Sequence, residues 1–298
     1  MKKLFLLIVL AFLFASCFQH NEQTPTNTHI FVDDYNDTVL APIHPQRIVS
    51  VSPGITEILF ALGANDLLVG RTDFCLYPPE VSAIESIGGI SNLNIEKIIS
   101  LKPDLVLSGS MVQEKTVQHL VSLGIPMACV VEKPHFNDLY QNICRIGQLV
   151  DRQAEADSLN AHLQQRLSSV LDSLGVSEVA EQDRPSIYYV VGFGKGGNYT
   201  AGGNTFINDI IRMAGGRNVA ENITGWNFSL EALLDADPDY IMIRQEDAEK
   251  FCRMPPYNKL RAVRQKHVIA IESGLIDLQV PRNIEGIIFI AEAISNKN

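Results

Sequence analysis

Two stretches of this chain occur twice, in the same order, about half a chain apart. The segment "ITEILFALG" (55–63) aligns without gaps to "INDIIRMAG" (207–215). Further on, "NLNIEKIISLKPDLVLS" (92–108) aligns to "NFSLEALLDADPDYIMI" (227–243). The second pair shares the skeleton N-x-x-[IL]-E-x-[IL]-[IL]-x-x-x-P-D-x-[IV]. Any amphipathic helix followed by a strand resembles another, but a matched Asn, Glu and Pro-Asp at fixed offsets goes further. A chain that repeats such a unit builds two bodies of like architecture.

Each copy reads physically in the same way. Pro-Asp follows an apolar-periodic helix, where proline stops it. The β-rich runs "LVLS" and "YIMI" come next, and "RIVSVS" and "SIYYVV" read as earlier strands followed by helices. Alternating strands and helices imply a mostly parallel sheet covered by helices in each half. Gly63 and Gly215 stand where a left-handed residue closes a helix.

Between the halves, residues 151–175 repeat apolar side chains at Leu159, Leu163, Leu167, Val170, Leu171 and Leu174. That spacing is close to 3.6, which predicts a helix of roughly six turns. The expected fold is therefore α/β, two similar α/β lobes with mostly parallel sheets joined by a single long backbone helix. The expected bounds are 29–150 for the N-terminal lobe, 151–175 for the helix and 176–298 for the C-terminal lobe. A stiff helix lets two lobes rock only slightly, where a Gly/Ser linker would leave them loose.

The first residues, "MKKLFLLIVLAFLFASC", place two lysines before an apolar run too short to span a bilayer. That is the layout of a secretory signal. Ala15-Ser16 before Cys17 resembles a bacterial lipoprotein signal, so residues 1–17 are expected to be a signal ending at a lipidated Cys17. Residues 18–28 are polar and read as a tether. Without Lys2 and Lys3 the basic count falls from 24 to 22 against 34 acidic residues, leaving the body near −12. Such an acidic body argues against nucleic acid as a partner. Cys75, Cys129, Cys144 and Cys252 show no CxxC or zinc spacing. Cys129 and Cys144 fall in apolar segments expected to be buried, and the disulfide state of all four stays open.

The stretch "RTDFCLYPPE" (71–80) follows an apolar run and ends in two prolines. Two prolines continue neither a helix nor a central strand. The reading is a stiff loop at a strand end that holds Phe74 and Tyr77 outward. "EDAEKFCRMPPYNKL" (246–260) has the same Pro-Pro-plus-aromatic character, so Tyr257 is either a further contact or a turn residue.

Taken together, "PQRIVSVSPGITEILFALGANDLLVGRTDFCLYPPE" and "GGISNLNIEKIISLKPDLVL" resemble the substrate-binding proteins of cobalamin, haem and ferric-siderophore ABC importers. The likeness extends over nearly the whole chain after residue 29 and is greatest to the cobalamin-binding branch. It implies a monomeric, lipid-anchored protein on the periplasmic side of the cell envelope. In this family a large ligand is held between two lobes and passed to a membrane permease dimer. The resemblance assigns permease docking to Glu96 and Glu231, the pair already matched by the repeat. A first-turn carboxylate is favoured by the helix dipole and pairs bidentately with arginine.

The same resemblance makes Tyr77 a ligand contact, together with Phe74, the only tryptophan Trp226, and Tyr199. Flat, amphipathic ligands want aromatic walls with a few polar fixers. Buried core aromatics are the plain alternative for all of them. Cobalamin-binding members can carry further tryptophans near the positions of Ile90 and Gly109, and this chain has none there. Haem or a ferric siderophore is thus the alternative ligand to a corrinoid. Haem would use Tyr77 as an axial ligand, and an anionic siderophore would use Arg71, Arg244 and Arg282, the last also a candidate ligand contact in general.

Other classes fare worse. "GFGKGG" (192–197) satisfies G-x-G-x-x-G after a strand, but "NYTAGGNT" intervenes before any helix, so the dinucleotide reading is set aside. Those glycines read as a cleft-edge loop. No P-loop or G-x-S-x-G elbow occurs, and the seven histidines are scattered. The chain is not expected to be an enzyme, nor to use a cofactor or bind a metal ion directly. A purely structural surface lipoprotein remains the third class, and a cleft sealed by aliphatics would favour it.

Overall fold

The computed structural model describes residues 27–109 and 112–295. The signal, Cys17 and the tether up to residue 26 lie outside the described residues. The chain opens with an antiparallel hairpin of β1 (Thr28–Val32) and β2 (Thr38–Pro42), which turns Phe31, Val39 and Ala41 inward. Then come β3 (Ile48–Ser50), α1 (Pro53–Ala61), β4 (Leu68–Arg71), a short ribbon of β5 (Gly88–Gly89) and β6 (Asn92–Leu93), and α2 (Ile95–Ser100). The first half ends with β7 (Leu105–Ser108), α3 (Glu114–Ser122), β8 (Met127–Cys129) and α4 (Asp138–Leu149).

A long helix, α5 (Gln153–Ser173), leads to the second half. There β9 (Ser186–Val190), α6 (Phe206–Met213), β10 (Arg217–Asn218), α7 (Leu230–Ala236) and β11 (Tyr240–Arg244) follow one another. After them come α8 (Gln245–Arg253), α9 (Arg261–Arg264), β12 (Val268–Ile271) and α10 (Asn283–Ser295).

The sheets show what the repeat means. The first has the order β4-β3-β7-β8 and the second β10-β9-β11-β12, and every neighbouring pair in both is parallel. Both orders are second, first, third, fourth, so the duplicated sequence is a duplicated topology. Strands β7 and β9 are buried along their whole length, as parallel strands covered by helices on both faces must be. The helix starts repeat too: the Ser52 hydroxyl accepts the Ile55 N–H, and the Thr205 hydroxyl accepts the Asn208 N–H. Gly63 and Gly215 follow the two helix ends with φ of 64° and 89°.

The core is not divided along the same line. One apolar cluster runs from Phe31 of the hairpin through Leu163 and Leu167 of α5 to Ile294 of α10. Leu159, Val170, Leu171 and Leu174 pack against its edge. Each fully buried leucine contributes about 1.5–3 kcal/mol, so α5 is held by both halves at once. The outer face of each sheet carries its own smaller cluster.

The halves are also stitched by polar bonds. Glu57 of α1 binds Arg282, which stands just before α10. Asp209 of α6, the repeat equivalent of Glu57, accepts the Phe136 N–H at 3.0 Å and lies 3.5 Å from His135 Nδ1. Each acid therefore reaches into the opposite half.

Candidate functional site

In parallel α/β sheets ligands bind beyond the carboxyl ends of the strands. Here the loops leaving β3, β7 and β8 and the turn between β5 and β6 meet the segment after β12. They enclose a cavity of 310 Å³ lined by Val51, Ser52, Pro53, Ile90, Gly109, Val112, Glu132, Asp277 and Leu278. Ile90 and Gly109 are the positions where the sequence lacks expected tryptophans, and both open directly onto this space. A separate hollow of 480 Å³, which runs along α1 to Phe60 and Ala61, includes Glu57, Tyr77, Pro78, Pro281 and Arg282 in its lining. A further hollow, 610 Å³, lies on the outer edge of the first sheet between β2 and α3, and no aromatic side chain lines it.

The aromatic loop leaves β4 as its sequence suggests. Cys75 is buried at its centre, with its sulfur 3.2 Å from Thr56 Oγ1 and 3.3 Å from Thr72 Oγ1. Pinning that residue inward turns Phe74 and Leu76 outward on either side of it. Phe74 lies beside Gly89, next to the cavity residue Ile90. Tyr77 lies under the guanidinium of Arg282.

In the second half, the loop leaving β9 carries the "GFGKGG" glycines. Gly194 and Gly197 have φ of 80° and 102°, so this is irregular backbone rather than the start of a long helix. A Cβ at Gly192 would come within 2.9 Å of the Tyr199 ring, and one at Gly197 within 3.2 Å. The glycines make room for that ring. Tyr199 bridges backbone to both Gly192 and Asn227, and the Trp226 carbonyl accepts the Thr200 N–H at 2.9 Å. Tyr199 and Trp226 thus share one extended pairing. Phe74, Tyr77, Tyr199 and Trp226 are all between 38% and 58% exposed, which separates them from the core aromatics. Among the described residues no ring pair joins the aromatics of one half to those of the other.

Two of the three arginines, Arg244 and Arg282, are held by carboxylates, while Arg71 has no carboxylate partner among the described residues. Arg282 gives two bonds to the Glu57 carboxylate, at 2.8 and 3.0 Å, and one to Glu272 at 3.0 Å. Burial pushes the Glu57 carboxyl up against the opposing pull of that guanidinium. Arg244 Nε donates to Asp277 at 2.8 Å, and the Tyr189 hydroxyl donates to the other oxygen of Asp277. Arg71 donates to the Thr72 carbonyl at 3.0 Å. The carboxylates Glu57, Glu132 and Asp277 were not singled out in the sequence. The repeat held one signal, since Glu57 aligns with Asp209.

Tyr257 belongs to the second half's core. It is 2% exposed, its hydroxyl donates to Asn198 Oδ1 at 2.6 Å and it accepts the Gly194 N–H at 2.9 Å. It braces the glycine loop from behind. Cys129 is buried, with burial pushing its thiol up to about 11. Cys144, expected to be buried, is half-exposed because its face of α4 meets α5 at the rim, beside Asn160 and Asp157. All four described cysteines are free thiols.

Glu96 and Glu231 stand at the second position of α2 and α7. The caps match: Asn94 accepts the Lys97 N–H at 2.9 Å, and Ser229 accepts the Ala232 N–H at 3.0 Å. Both carboxylates are exposed, and neither forms an ion pair among the described residues.

The sequence profile of the periplasmic binding protein family matches residues 48–275. The chain belongs to this family. Its members are solute-binding components of transport, not enzymes. One similar member is the Bacillus subtilis (strain 168) protein named uncharacterized ABC transporter substrate-binding lipoprotein YvrC. It is 30% identical over 288 residues, 93% of this chain and 90% of that one. The cobalamin-binding protein of Halobacterium salinarum (strain R1) is 29% identical over 277 residues, 89% of this chain and 73% of that one. Among solved periplasmic binding proteins, the apo heme-binding protein RhuT from Roseiflexus sp. RS-1 superimposes with a TM-score of 0.75 at 26% identity. That match covers 84% of this chain and 98% of the other. The family's two-lobed architecture is the one described above.

Proposed function

We propose that this chain is the lipid-anchored, extracytoplasmic substrate-binding protein of an ABC importer, and that its ligand is a corrinoid of the cobalamin type. The observation that carries the choice of ligand is the state of the arginines. Arg244 and Arg282 are held by carboxylates, and the 310 Å³ cavity is lined by Glu132 and Asp277, with no arginine or lysine among its described lining residues. A site for anionic siderophores or for the propionates of haem would want free cations there, because like charges placed together cost several kcal/mol. Corrinoids carry amides around the ring and tolerate such a site.

The cavity is at the small end of the ~300–1,000 Å³ typical of ligand pockets. A corrin ring would accordingly lie across the cleft mouth, against Tyr77, Phe74, Tyr199 and Trp226, with part of its rim entering the cavity. The similar Halobacterium protein bears the name cobalamin-binding protein, which supports this reading. Haem is the second reading. It draws on the likeness to the Roseiflexus protein and uses Tyr77 as an axial ligand.

Glu96 and Glu231 would meet arginines of a permease dimer, one from each half. Their matched caps and their exposure support that role. The protein works as a monomer in this reading, held to the membrane by an acyl group on Cys17. Calorimetric titration with cyanocobalamin, haemin and a ferric siderophore tests the ligand. Tight cobalamin binding with little for the others is expected. Haemin binding alone would replace the ligand and keep the transport role.

A further inference from the structure

Glu132 is the less well bonded of the two carboxylates that line the 310 Å³ cavity. Each oxygen of its neighbour in the cavity, Asp277, has a donor, the Tyr189 hydroxyl on one and the Arg244 guanidinium on the other. Glu132 accepts only a long 3.5 Å bond from the Gln279 N–H. The adjacent Lys133 turns away to Asp34 at 3.3 Å. The Gln279 side chain is also spent, donating to the Lys133 and His135 carbonyls at 2.8 and 2.9 Å. Those two bonds hold the segment that carries Glu132 against the cleft.

Among the described residues no lysine or arginine lines this cavity. The carboxylate faces a space bounded by Val51, Ile90, Val112 and Leu278, open to water yet ringed by protein. A carboxylate has lone pairs to give and no proton to donate. Whatever group of the ligand enters must therefore bring hydrogen-bond donors. We propose that Glu132 is a specificity residue that accepts a hydrogen bond from an amide of the ligand rim and turns away ligands bearing a carboxylate at that place. This inference rests on the corrinoid reading and narrows it to amide-bearing corrinoids. The surrounding protein also pushes the Glu132 carboxyl up, in keeping with the single long bond it accepts.

The test compares two corrinoids that both lack the nucleotide arm: dicyanocobinamide, whose rim is amidated, and dicyanocobyrinic acid, whose rim bears carboxylates. Dissociation constants are measured at neutral pH with the full chain in mild detergent, for the native protein and for Glu132→Gln. The native protein is expected to prefer cobinamide at least tenfold. Glu132→Gln, which both donates and accepts, is expected to narrow that preference to about threefold or less. Equal binding of the two corrinoids by the native protein, or an unchanged ratio in the variant, would overturn the inference and leave the corrinoid reading intact. Binding of haemin with no corrinoid bound would overturn both, since its propionates are what this cavity should refuse.

Discussion

Arg282 lies over the ring of Tyr77, its guanidinium carbon 3.5 Å from the ring centroid, while both its edges grip carboxylates of opposite halves. The side chain is only 15% exposed and its partner Glu57 only 6%. One residue thus joins α1, the aromatic loop and the segment before α10. Removing it leaves Glu57 buried without its counter-ion. Arg282→Met is expected to lower unfolding stability by about 3–5 kcal/mol. Urea denaturation measures this, and adding Glu57→Gln should recover part of the loss.

The exposed aromatics should govern affinity more than stability. Tyr77→Ala and Trp226→Ala are each expected to weaken cyanocobalamin binding roughly tenfold, about 1.4 kcal/mol, the order of a well-placed aromatic contact. The unfolding midpoint of Trp226→Ala should stay near that of the native protein because its ring is outside the core. Tyr77→Ala also loses the Arg282 contact and should cost about 0.5–1 kcal/mol of stability. Calorimetry and denaturation on the same samples separate the two effects.

Tyr257 should behave in the opposite way. Tyr257→Phe removes the hydroxyl that joins the Gly194 N–H to Asn198. Two inner polar groups lose a partner, at a cost of about 1–3 kcal/mol. Denaturation should show the loss, and hydrogen exchange should quicken in the loop 192–199. A stability equal to the native protein's would mean that water replaces the hydroxyl there.

Docking is expected to depend on Glu96 and Glu231 together. Alanine at either should leave ligand affinity unchanged and lower transport into permease-containing vesicles roughly tenfold, the order of losing one charge-assisted pair. Alanine at both should abolish it. Normal transport by the double variant would rule these two carboxylates out as the docking points.

Glu132 gives a pH dependence with a definite sign. Its carboxyl is raised above the ordinary 4.5, chiefly because the surrounding protein displaces part of its water. Between that value and the raised one, the folded chain holds a proton that the unfolded chain has released. Stability contributed by this group therefore falls as pH rises through the window. Glu132→Gln removes the fall, so its advantage over the native protein should be absent below pH 4.5 and grow above it. Urea midpoints across pH 4 to 8 would show a flat difference if Glu132 were fully hydrated.

The duplicated topology was legible because each copy carries local punctuation: a cap, a periodic helix, Pro-Asp, then a buried strand. The aromatic loop was legible for a similar reason, since proline and glycine exclude Tyr77 and Trp226 from regular elements. Arg282 was visible in the sequence as a candidate ligand contact, not as a tie between the halves. Its partner Glu57 is 225 residues away in sequence, and no local pattern reports a contact that long. Glu57 and Asp209 aligned within the repeat, yet an acid inside a helix is ordinary until the fold shows it crossing to the other half. Tyr257 stayed open between contact and turn for the converse reason. Its Pro-Pro neighbourhood looks like that of Tyr77, but α8 and the β9 loop close over it.

The apolar cluster that passes beneath α5 from Phe31 to Ile294 has a consequence for how the chain can be divided. Cutting within α5 would free two fragments that each end in half a helix and bare an oily seam made for the other. Neither fragment should persist as a soluble species by itself. Produced in the same cell, they should find each other along that seam and rebuild the whole, as complementing pieces of a split reporter do.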